Sequence, residues 1–350
     1  MRILITGGAG FVGGNLATYF AIRDHEIFCI DNLSRRGSEK NLEIFRNFKN
    51  IQFMHCDIRC PEDFLNINFN PDIVLECSAQ TTAIDGYRNP VYDFTNNTQG
   101  AFNVLEYCRQ KQAGLIFWSS NKAYSGHFCN SIPMKELKTR FEWDLSIAKE
   151  TRGWSKLGFN EEGDVNGTNH TVYGATKNAA DLICQEWSNA FDIPILVNRF
   201  SCLYGKNQFG KVGQGWIVWF AIAKKLKLPL YYYGYDGKQV RDCLHIDDVC
   251  SLIDNQIDKI STNSGNYYNV GGGIDNTMSV RELNNKLNLM MGINHDLETK
   301  LPRAADQKIY ISDITKVSND FDWKPTINIE KGLTDILEWI NKDTLEWVEK

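Results

Sequence analysis

Tyr173 and Lys177 are the residues of this chain whose types and spacing point most directly to chemistry. They lie in HTVYGATKNAADLICQEW, residues 170–187, which we predict to be helical. Four residues apart on a helix, the two side chains share one face, about one turn from each other. An ammonium group beside a phenol lowers the phenol pKa from about 10, so the tyrosine can act as a base nearer neutral pH. The alternative is a tyrosine ring packed on a lysine stem.

A glycine-rich turn near the start of the chain predicts a nucleotide site. The apolar strand RILIT is followed by GGAGFVG, with Gly7, Gly10 and Gly13, and then by the helical segment NLATYFAIR. Glycines at these positions allow a tight turn and a close approach of the backbone to a ligand. The N-terminus of the following helix then faces a pyrophosphate, as in dinucleotide-binding folds.

Asp31 indicates which dinucleotide this turn would bind. It ends the predicted strand EIFCID, where an acid bonds the adenosine ribose hydroxyls. A 2′-phosphate beside this carboxylate would be repelled, so NAD is favoured over NADP. Arg35 and Arg36 complicate the argument, and we interpret that pair as a solvated loop.

Two serines end a later strand. Ser119 and Ser120 close GLIFWSS, at the carboxyl edge where open α/β folds bind ligands. Ser120 would orient a substrate oxygen while Tyr173 removes the alcohol proton and the carbon gives hydride to nicotinamide. Lys177 would hold the nicotinamide ribose. A simple turn-forming role is the alternative for the serines.

The elements that would position these residues predict an α/β protein with a Rossmann-type doubly wound parallel sheet. Strands predicted at 2–6, 26–31, 51–58, 72–80, 114–125 and 193–205 alternate with helices, one of them from about residue 91 to 111. We expect an NAD-binding domain at 1–200 plus about 238–270. A smaller C-terminal α/β substrate domain would comprise 201–237 plus 271–350. Residues 126–169 would form a loop that covers the site.

Composition excludes several classes of protein. Of 350 residues, 43% are apolar and 23% charged, which is typical of globular proteins. The net charge of −5 gives no reason to expect nucleic acid. Ten scattered cysteines without a Cys-x-x-Cys pair indicate reduced thiols in a cytoplasmic protein without a metal site. The longest apolar run, 216–223, is too short for a membrane span.

Motifs along nearly the whole chain resemble the extended short-chain dehydrogenase/reductases that act on nucleotide-sugars. The matching segments are GGAGFVG at 7–13, DNLS at 31–34, SSNKAY at 119–124, YGATK at 173–177, NRFSCLYG at 198–205, GKQVRDCLHIDDV at 237–249 and LPRAADQ at 301–307. The resemblance implies a tightly bound NAD that is regenerated in each cycle. It also implies a nucleotide-diphosphate sugar as substrate and a homodimer or homotetramer.

The resemblance also implies roles for individual residues. Ser120, Tyr173 and Lys177 are the catalytic residues. Besides Tyr173 and Lys177, the cofactor-binding residues are Gly7, Gly10, Phe11, Val12, Gly13, Asp31, Asn32, Ser34, Arg35, Asp57, Ile58, Ser78, Ala79, Gln80, Asn97 and Ser119. The substrate-binding residues are Thr82, Asn121, Lys122, Asn198, Gln214, Gly215, Trp216, Gln239, Arg241, Arg303 and Asp306. One departure is Glu76, which stands where the family usually has histidine and needs a partner if it is buried.

The turn after Ser120 separates the reaction types. Sugar-nucleotide 4,6-dehydratases carry Thr-Asp-Glu here, an acid and a base for eliminating water, whereas this chain has Ser120-Asn121-Lys122. Dehydration is therefore disfavoured. This turn, GQGWIVWF and GKQVRDCLHIDD resemble members that invert C2 of a CDP-hexose through a transient ketone, in the synthesis of deoxysugar precursors of surface polysaccharides. The alternatives are a 4-epimerase, 4-dehydrogenase or keto-sugar reductase acting on a GDP- or UDP-sugar, and a non-catalytic nucleotide-binding regulator.

Overall fold

The computed structural model of the chain describes residues 1–346. In chain order its first part contains β1 (Arg2–Thr6), α1 (Phe11–Ala21), β2 (Glu26–Asp31), α2 (Ser38–Phe45), β3 (Ile51–His55), α3 (Pro61–Phe64), β4 (Ile73–Glu76), α4 (Ala83–Arg88), α5 (Pro90–Phe94), a π-helical turn (Thr95–Gly100), α6 (Ala101–Lys111), β5 (Gly114–Ser120), a 3-10 turn (Asn121–Ala123), α7 (Gly126–Ser131), β6 (Met134–Glu136), β7 (Phe141–Trp143), β8 (Trp154–Ser155), β9 (Gly158–Phe159) and α8 (Thr171–Phe191).

The second part begins at β10 (Ile195–Phe200). It continues with β11 (Cys202–Tyr204), α9 (Trp216–Leu226), β12 (Tyr231–Tyr233), a 3-10 turn (Tyr235–Gly237), β13 (Val240–His245), α10 (Ile246–Asp258), β14 (Tyr267–Val270), a 3-10 turn (Ile274–Asn276), β15 (Thr277–Ser279), α11 (Val280–Met291), β16 (Glu298–Lys300), β17 (Ile309–Tyr310), α12 (Thr315–Phe321), α13 (Ile329–Trp339) and α14 (Lys342–Glu346).

A seven-stranded sheet forms the centre of the larger part, in the order β14-β10-β5-β4-β1-β2-β3. Every neighbouring pair in it is parallel. Apart from the edge strand β3, its strands are buried on both faces, which explains their nearly continuous apolar sequences. Alternate residues feed two cores: one face packs on α1, α10 and α12, and the other on α6 and α8. The predicted doubly wound α/β fold is confirmed.

Two predicted elements are interrupted. The helix expected from about residue 91 to 111 contains the π-helical turn Thr95–Gly100 between α5 and α6. The strand expected over 193–205 breaks at Ser201, so that β10 joins the seven-stranded sheet and β11 joins a second sheet. Neither interruption has a signal in the local apolar pattern.

The second sheet belongs to the smaller part of the molecule. In it β13 pairs with β11 and β17 in parallel and with β15 in antiparallel orientation. The structure thus differs from the expected domain division at one point, because β13 lies in the smaller sheet although residues from about 238 were assigned to the NAD-binding domain. The following α10 and β14 do pack in the larger part. Residues 347–350 of the expected substrate domain lie outside the described residues.

The segment 126–169, expected to cover the site, forms a core of its own. It contributes α7 and the hairpins β6-β7 and β8-β9. Aromatic side chains of this segment, among them Trp143, Trp154 and Phe159, pack with Tyr124 and Tyr310. The segment is thereby held between the turn after β5 and the strand β17.

Candidate active site

The glycine-rich turn is packed so closely that a side chain would clash at Gly7 and at Gly13. Gly7 has a φ of 59°, and a Cβ there would lie 3.0 Å from backbone atoms of Cys77 and Ser78. A Cβ on Gly13 would lie 2.3 Å from the Gly7 carbonyl oxygen. Gly10 is the N-cap residue of α1, and Phe11 and Val12 begin the helix. These residues fit the pyrophosphate cradle of NAD, because a backbone without side chains leaves room for phosphate at a helix N-terminus.

Acidic and amide groups at the ends of β2 and β3 flank this cradle. The Asp31 carboxylate accepts hydrogen bonds from the Ala9 N–H at 3.1 Å and the Leu33 N–H at 2.8 Å. Burial raises the Asp31 pKa. Asn32 donates to Asp57 at 3.1 Å. The Arg59 guanidinium, by hydrogen bonding, lowers the Asp57 pKa to about 2, so Asp57 is an anion at this end of the site. Ile58 is buried against Gly100.

The turn after β5 brings Ser120 to Tyr173. A Cβ on Gly174 would lie 2.4 Å from the carbonyl oxygen of Lys122, so the glycine of YGATK allows this turn to contact α8. Burial raises the pKa of Tyr173 to about 12, and hydrogen bonding with Ser120 partly opposes this rise. The expected lowering by Lys177 is therefore not found in this structure.

Lys177 lies over the central sheet, against Phe117 of β5. It is 1% exposed, and its Nζ lies 4.3 Å from the centre of the Phe117 ring. Glu76 stands beside Phe117 on the neighbouring strand, in register. Burial lowers the Lys177 pKa, and Glu76 is the acid that most opposes this effect. Burial raises the Glu76 pKa to about 8, and the positive charge of Lys177 partly opposes this rise. The Thr6 hydroxyl also donates to Glu76.

A network of amides holds the loop between β4 and α4. Asn97, in the π-helical turn, accepts from the Gln80 N–H at 2.9 Å and donates to the Gln80 carbonyl at 3.1 Å and to Asp93 at 2.9 Å. The Gln80 side chain donates to the Thr82 carbonyl and to Asp93. The Thr82 hydroxyl caps α4 by accepting from the Asp85 N–H. Asn97, Gln80 and Thr82, predicted to contact ligands, are thus buried groups that position this loop.

A cavity of about 320 Å³ opens beside this loop. It brings together predicted cofactor residues and predicted substrate residues from three separate loops. Those lining it are Ser34, Arg35, Ala79, Gln80, Thr82 and Gln214. The Arg35 guanidinium donates hydrogen bonds to the Gln214 side-chain oxygen and to the Phe209 carbonyl oxygen. The loop after β2 is thereby joined to the loop before α9.

Three further cationic side chains line the same cavity, and none of them was among the predicted site residues. They are Arg36, Arg88 and Lys211. Cationic side chains around a cavity suit an anionic group such as phosphate. The adjacent Arg35 and Arg36 were a usable signal, but the pair was interpreted as a solvated loop. Arg88 and Lys211 gave no local signal.

A second group of predicted substrate residues gathers where the turn after β5 meets the 303–307 segment. Arg241 pairs with Asp306 at 2.8 Å. The Lys122 Nζ donates to the Ala305 carbonyl at 3.3 Å, and burial lowers the Lys122 pKa. Asn121 donates to Gln307 at 3.3 Å. The Arg303 guanidinium lies 4.7 Å from the Tyr233 ring centre.

The remaining substrate candidates lie at the border of this group. Gln239 donates to the Tyr233 carbonyl at 3.2 Å, and its side-chain oxygen has no donor. Trp216 donates to the Cys202 sulfur at 3.4 Å. Gly215 has a φ of 62° and precedes α9 as its N-cap residue.

Asn198 and Ser119 are not brought to the site. Asn198 is fully buried in the sheet, and both polar atoms of its side chain pair with Gln256, at 2.7 and 2.9 Å. The Ser119 hydroxyl donates to Asp181 at 2.6 Å, on the sheet face that packs against α8. Their side chains are therefore engaged in internal contacts, and the ligand roles predicted for them are corrected.

Neither a metal cluster nor a membrane span is found in the part of the chain that the structure describes. No three His, Cys, Asp or Glu side chains of residues 1–346 converge as metal ligands. His245 accepts from the Asp247 N–H as the N-cap of α10, and Asp248 accepts from Thr326 and Ile327. Within the same range no helix is both long and apolar enough to cross a bilayer.

The fold and this arrangement define an NAD-dependent enzyme of the Rossmann type. Residues 3–271 match the model of the NAD dependent epimerase/dehydratase family. The chain belongs to this family, so the predicted use of NAD is confirmed.

Named relatives of the chain differ in reaction and in nucleotide. CDP-paratose 2-epimerase of Salmonella typhi is 33% identical, with 97% of this chain and 99% of the relative covered. A putative UDP-glucose 4-epimerase of Methanocaldococcus jannaschii is 26% identical, with 97% and 99% covered. A solved dTDP-glucose 4,6-dehydratase of Streptomyces venezuelae, DesIV, has a TM-score of 0.80, 21% identity and 99% of each chain covered. At that identity the solved structure shows the fold alone.

Proposed function

We propose that this enzyme is an NAD-dependent epimerase of a nucleotide-activated hexose, and that it inverts C2 of a CDP-sugar through a transient ketone. The observation that carries the proposal is the placement of Ser120 and Tyr173 beside a turn in which Asn121 and Lys122 stand where a dehydratase needs two carboxyl groups. The similarity to a CDP-paratose 2-epimerase supports the nucleotide and the carbon.

Each residue of the site would have a separate role in the reaction. Tyr173 takes the proton of the sugar hydroxyl and returns it to the ketone oxygen, and Ser120 orients that oxygen by hydrogen bonding. The chemistry supplied by NAD, when bound, would be reversible hydride transfer, first from the sugar carbon and then back to its opposite face. Lys177 would bind the nicotinamide ribose. No further acid or base is required, which agrees with the absence of a carboxylate pair after Ser120.

Two groups of cations would hold the substrate and the cofactor. Arg241 and Arg303 can form bidentate hydrogen bonds to a diphosphate. Asp306, the present partner of Arg241, would then be free to accept hydrogen bonds from nucleotide or sugar hydroxyls. Arg35 and Arg36 line the cavity beside the cofactor loop, where phosphate oxygens would meet them.

We also propose that the protein acts as a homo-oligomer, through α6 and α8. Phe102, Leu182 and Phe191 on these two helices are exposed, by 42%, 67% and 41%. Exposed apolar side chains grouped on packed helices are typical of a surface covered by a second copy.

The test of the reaction is incubation of the enzyme with CDP-, UDP-, GDP- and dTDP-hexoses in deuterated water. We expect inversion of C2 in a CDP-hexose, seen by NMR, with no solvent deuterium at C2, since the carbon-bound hydrogen is returned. Deuterium at the inverted carbon would exclude this mechanism. Inversion of C4 in a UDP- or GDP-sugar, or net consumption of reduced cofactor, would favour the 4-epimerase, dehydrogenase or reductase alternatives.

A further inference from the structure

Thr171, at the start of the helix α8 that carries Tyr173, has a backbone conformation that threonine rarely adopts. Its φ is 70°, in the left-handed region. In this region the Cβ of an L-residue comes too close to the following carbonyl oxygen, and a β-branched residue there is a true outlier. Such strain persists only where the surrounding structure enforces it, and it is frequent at functional sites. Thr171 stands two residues before Tyr173, and the proposed reaction gives it no role.

The Thr171 side chain caps the helix. Its hydroxyl oxygen accepts a hydrogen bond from the Gly174 N–H at 3.1 Å, in the way that N-cap side chains bind the free N–H groups of a first turn. The side chain of His170, which directly precedes the helix, makes no such bond. Thr171 is 8% exposed, so water has little access to take the place of its hydroxyl. Thr171 therefore provides the side-chain cap of α8.

The residues that lead into α8 are tied to the segment that follows β5. The Ser125 hydroxyl donates to the Thr168 carbonyl at 2.7 Å, and the Gly126 N–H donates to the Asn169 carbonyl at 2.9 Å. Asn169 is also left-handed, with a φ of 74°, but asparagine visits this region more readily than threonine does. The path of the chain before the helix is thus fixed from the segment that follows the catalytic serine.

The first turn of α8 is enclosed on two sides. A Cβ on Gly174 would lie 2.4 Å from the Lys122 carbonyl oxygen, and a Cβ on Gly86 of α4 would lie 3.2 Å from the Tyr173 backbone nitrogen. Because both neighbours contact the turn closely, it cannot move towards either of them. The left-handed entry at Thr171 determines the direction from which the chain reaches this space, and with it the place of Tyr173.

We propose that Thr171 is a positioning residue whose left-handed backbone and capping hydroxyl hold the Tyr173 phenol within reach of Ser120 and of the sugar hydroxyl. The proposal rests on the proposed function in so far as Tyr173 transfers the proton. Without the cap, the backbone at Thr171 can relax to a less strained conformation, and this rotation is transmitted to Tyr173. A displacement of about 1 Å at a reacting group can reduce a rate by about a hundredfold.

The test compares kcat and KM for the sugar in three variants, at a temperature at which circular dichroism shows each to be folded. Thr171→Val keeps the β-branched shape but removes the acceptor. We expect its kcat to fall by about tenfold or more, with KM nearly unchanged, because the contacts with the sugar remain. Thr171→Asn keeps an N-cap acceptor and tolerates the left-handed region, so it should retain the wild-type kcat. Thr171→Gly tolerates the conformation without the acceptor, and it should show the loss of kcat even if Thr171→Val does not fold.

Asn328→Ala is the matched control for the loss of a cap. The Asn328 side chain accepts from the Lys331 N–H at 2.9 Å at the start of α13, so its loss should lower the unfolding temperature without a change in kcat. Wild-type kcat in Thr171→Gly or in folded Thr171→Val, or an equal loss in Thr171→Asn, would overturn the proposal. A wild-type protein that inverts no nucleotide-sugar, or full turnover in Tyr173→Phe, would instead count against the proposed function.

Discussion

Tyr173 transfers the proton in the proposed reaction. The surroundings of its phenol group determine the effect that is expected when the hydroxyl group is removed. Burial raises the Tyr173 pKa and holds the phenol in the neutral form, while hydrogen bonding with Ser120 partly opposes this effect. In the proposed reaction the phenol would become an effective base when the positive charge of the oxidised cofactor is added beside it. This dependence ties proton removal to the presence of NAD.

Tyr173→Phe should reduce turnover by about a hundredfold or more, because the hydroxyl oxygen of the sugar loses its proton acceptor. NAD binding should persist, since the ring and Lys177 remain. Steady-state kinetics and NAD titration measure the two effects. Tyr87→Phe, on an exposed ring of α4, is the matched control and should leave turnover unchanged. Wild-type turnover in Tyr173→Phe would support the non-catalytic regulator instead.

Glu76 should make the stability of the NAD-free protein depend on pH. Burial raises its pKa from 4.5 to about 8, while Lys177 opposes this shift. Between these values the folded state binds a proton that the unfolded state has lost, so the free energy of unfolding falls as pH rises. Glu76→Gln should remove this slope and unfold at a higher temperature at pH 7 to 8, as measured by calorimetry. A variant with the same pH slope as the wild type would show that Glu76 does not titrate in this range.

At the scale of elements, α8 is the helix that holds the site together. Tyr173, Lys177 and Asp181 recur every four residues along one face. Tyr173 meets the turn after β5, and Lys177 meets β4 and β5. Asp181 meets Arg199 on β10, which also donates to the Tyr124 hydroxyl at 3.1 Å. The catalytic residues are thus positioned by a helix anchored through a buried ion pair.

Arg199→Met should destabilise the protein by about 3–5 kcal/mol, because Asp181 would be left as a buried charge without its partner. Urea unfolding followed by circular dichroism measures the loss. Arg109→Met is the matched control, since its ion pair with Glu106 is exposed to solvent, and it should leave the unfolding midpoint nearly unchanged. Combining Arg199→Met with Asp181→Asn should cost less than the sum of the two single changes. Strict additivity would contradict a coupling between them.

The structural role of the π-helical turn follows from the contacts of its side chains. It places Asn97 where one amide joins Gln80, Asp93 and Thr176, the last at 3.2 Å. A regular helix from α5 to α6 would rotate this amide away from the loop after β4. Interruptions of this kind are frequent at functional sites.

For the whole molecule, the exposed apolar group on α6 and α8 predicts association. Sedimentation should show a dimer or a tetramer at micromolar concentration. Leu182→Lys should shift it towards the monomer, because a charge would be buried at the interface. Leu289→Lys is the matched control, because Leu289 on α11 is 84% exposed, and it should leave the association state unchanged. A wild-type protein that sediments as a monomer would contradict the proposed assembly.

The sequence by itself determined the features that depend on local pattern. The glycine-rich turn, Asp31 at the end of β2, Ser120 at the end of β5 and the Tyr173–Lys177 spacing each lie within one or two elements. Their backbone geometry follows from residue type and from the alternation of strands and helices. The doubly wound sheet could be predicted for the same reason, because its strands are short apolar segments separated by helices.

Only the tertiary structure decided which polar groups meet across distant parts of the chain. Glu76 accepts a hydrogen bond from the Thr6 hydroxyl, Asn198 is paired with Gln256, and Arg88 and Lys211 line one cavity, although 58 to 123 residues separate these partners. Burial also reversed the expected pKa of Tyr173, since desolvation depends on everything packed around the ring and not on its neighbour four residues away. Local pattern specifies backbone shape, whereas charge partners and solvent exclusion arise from the assembled fold.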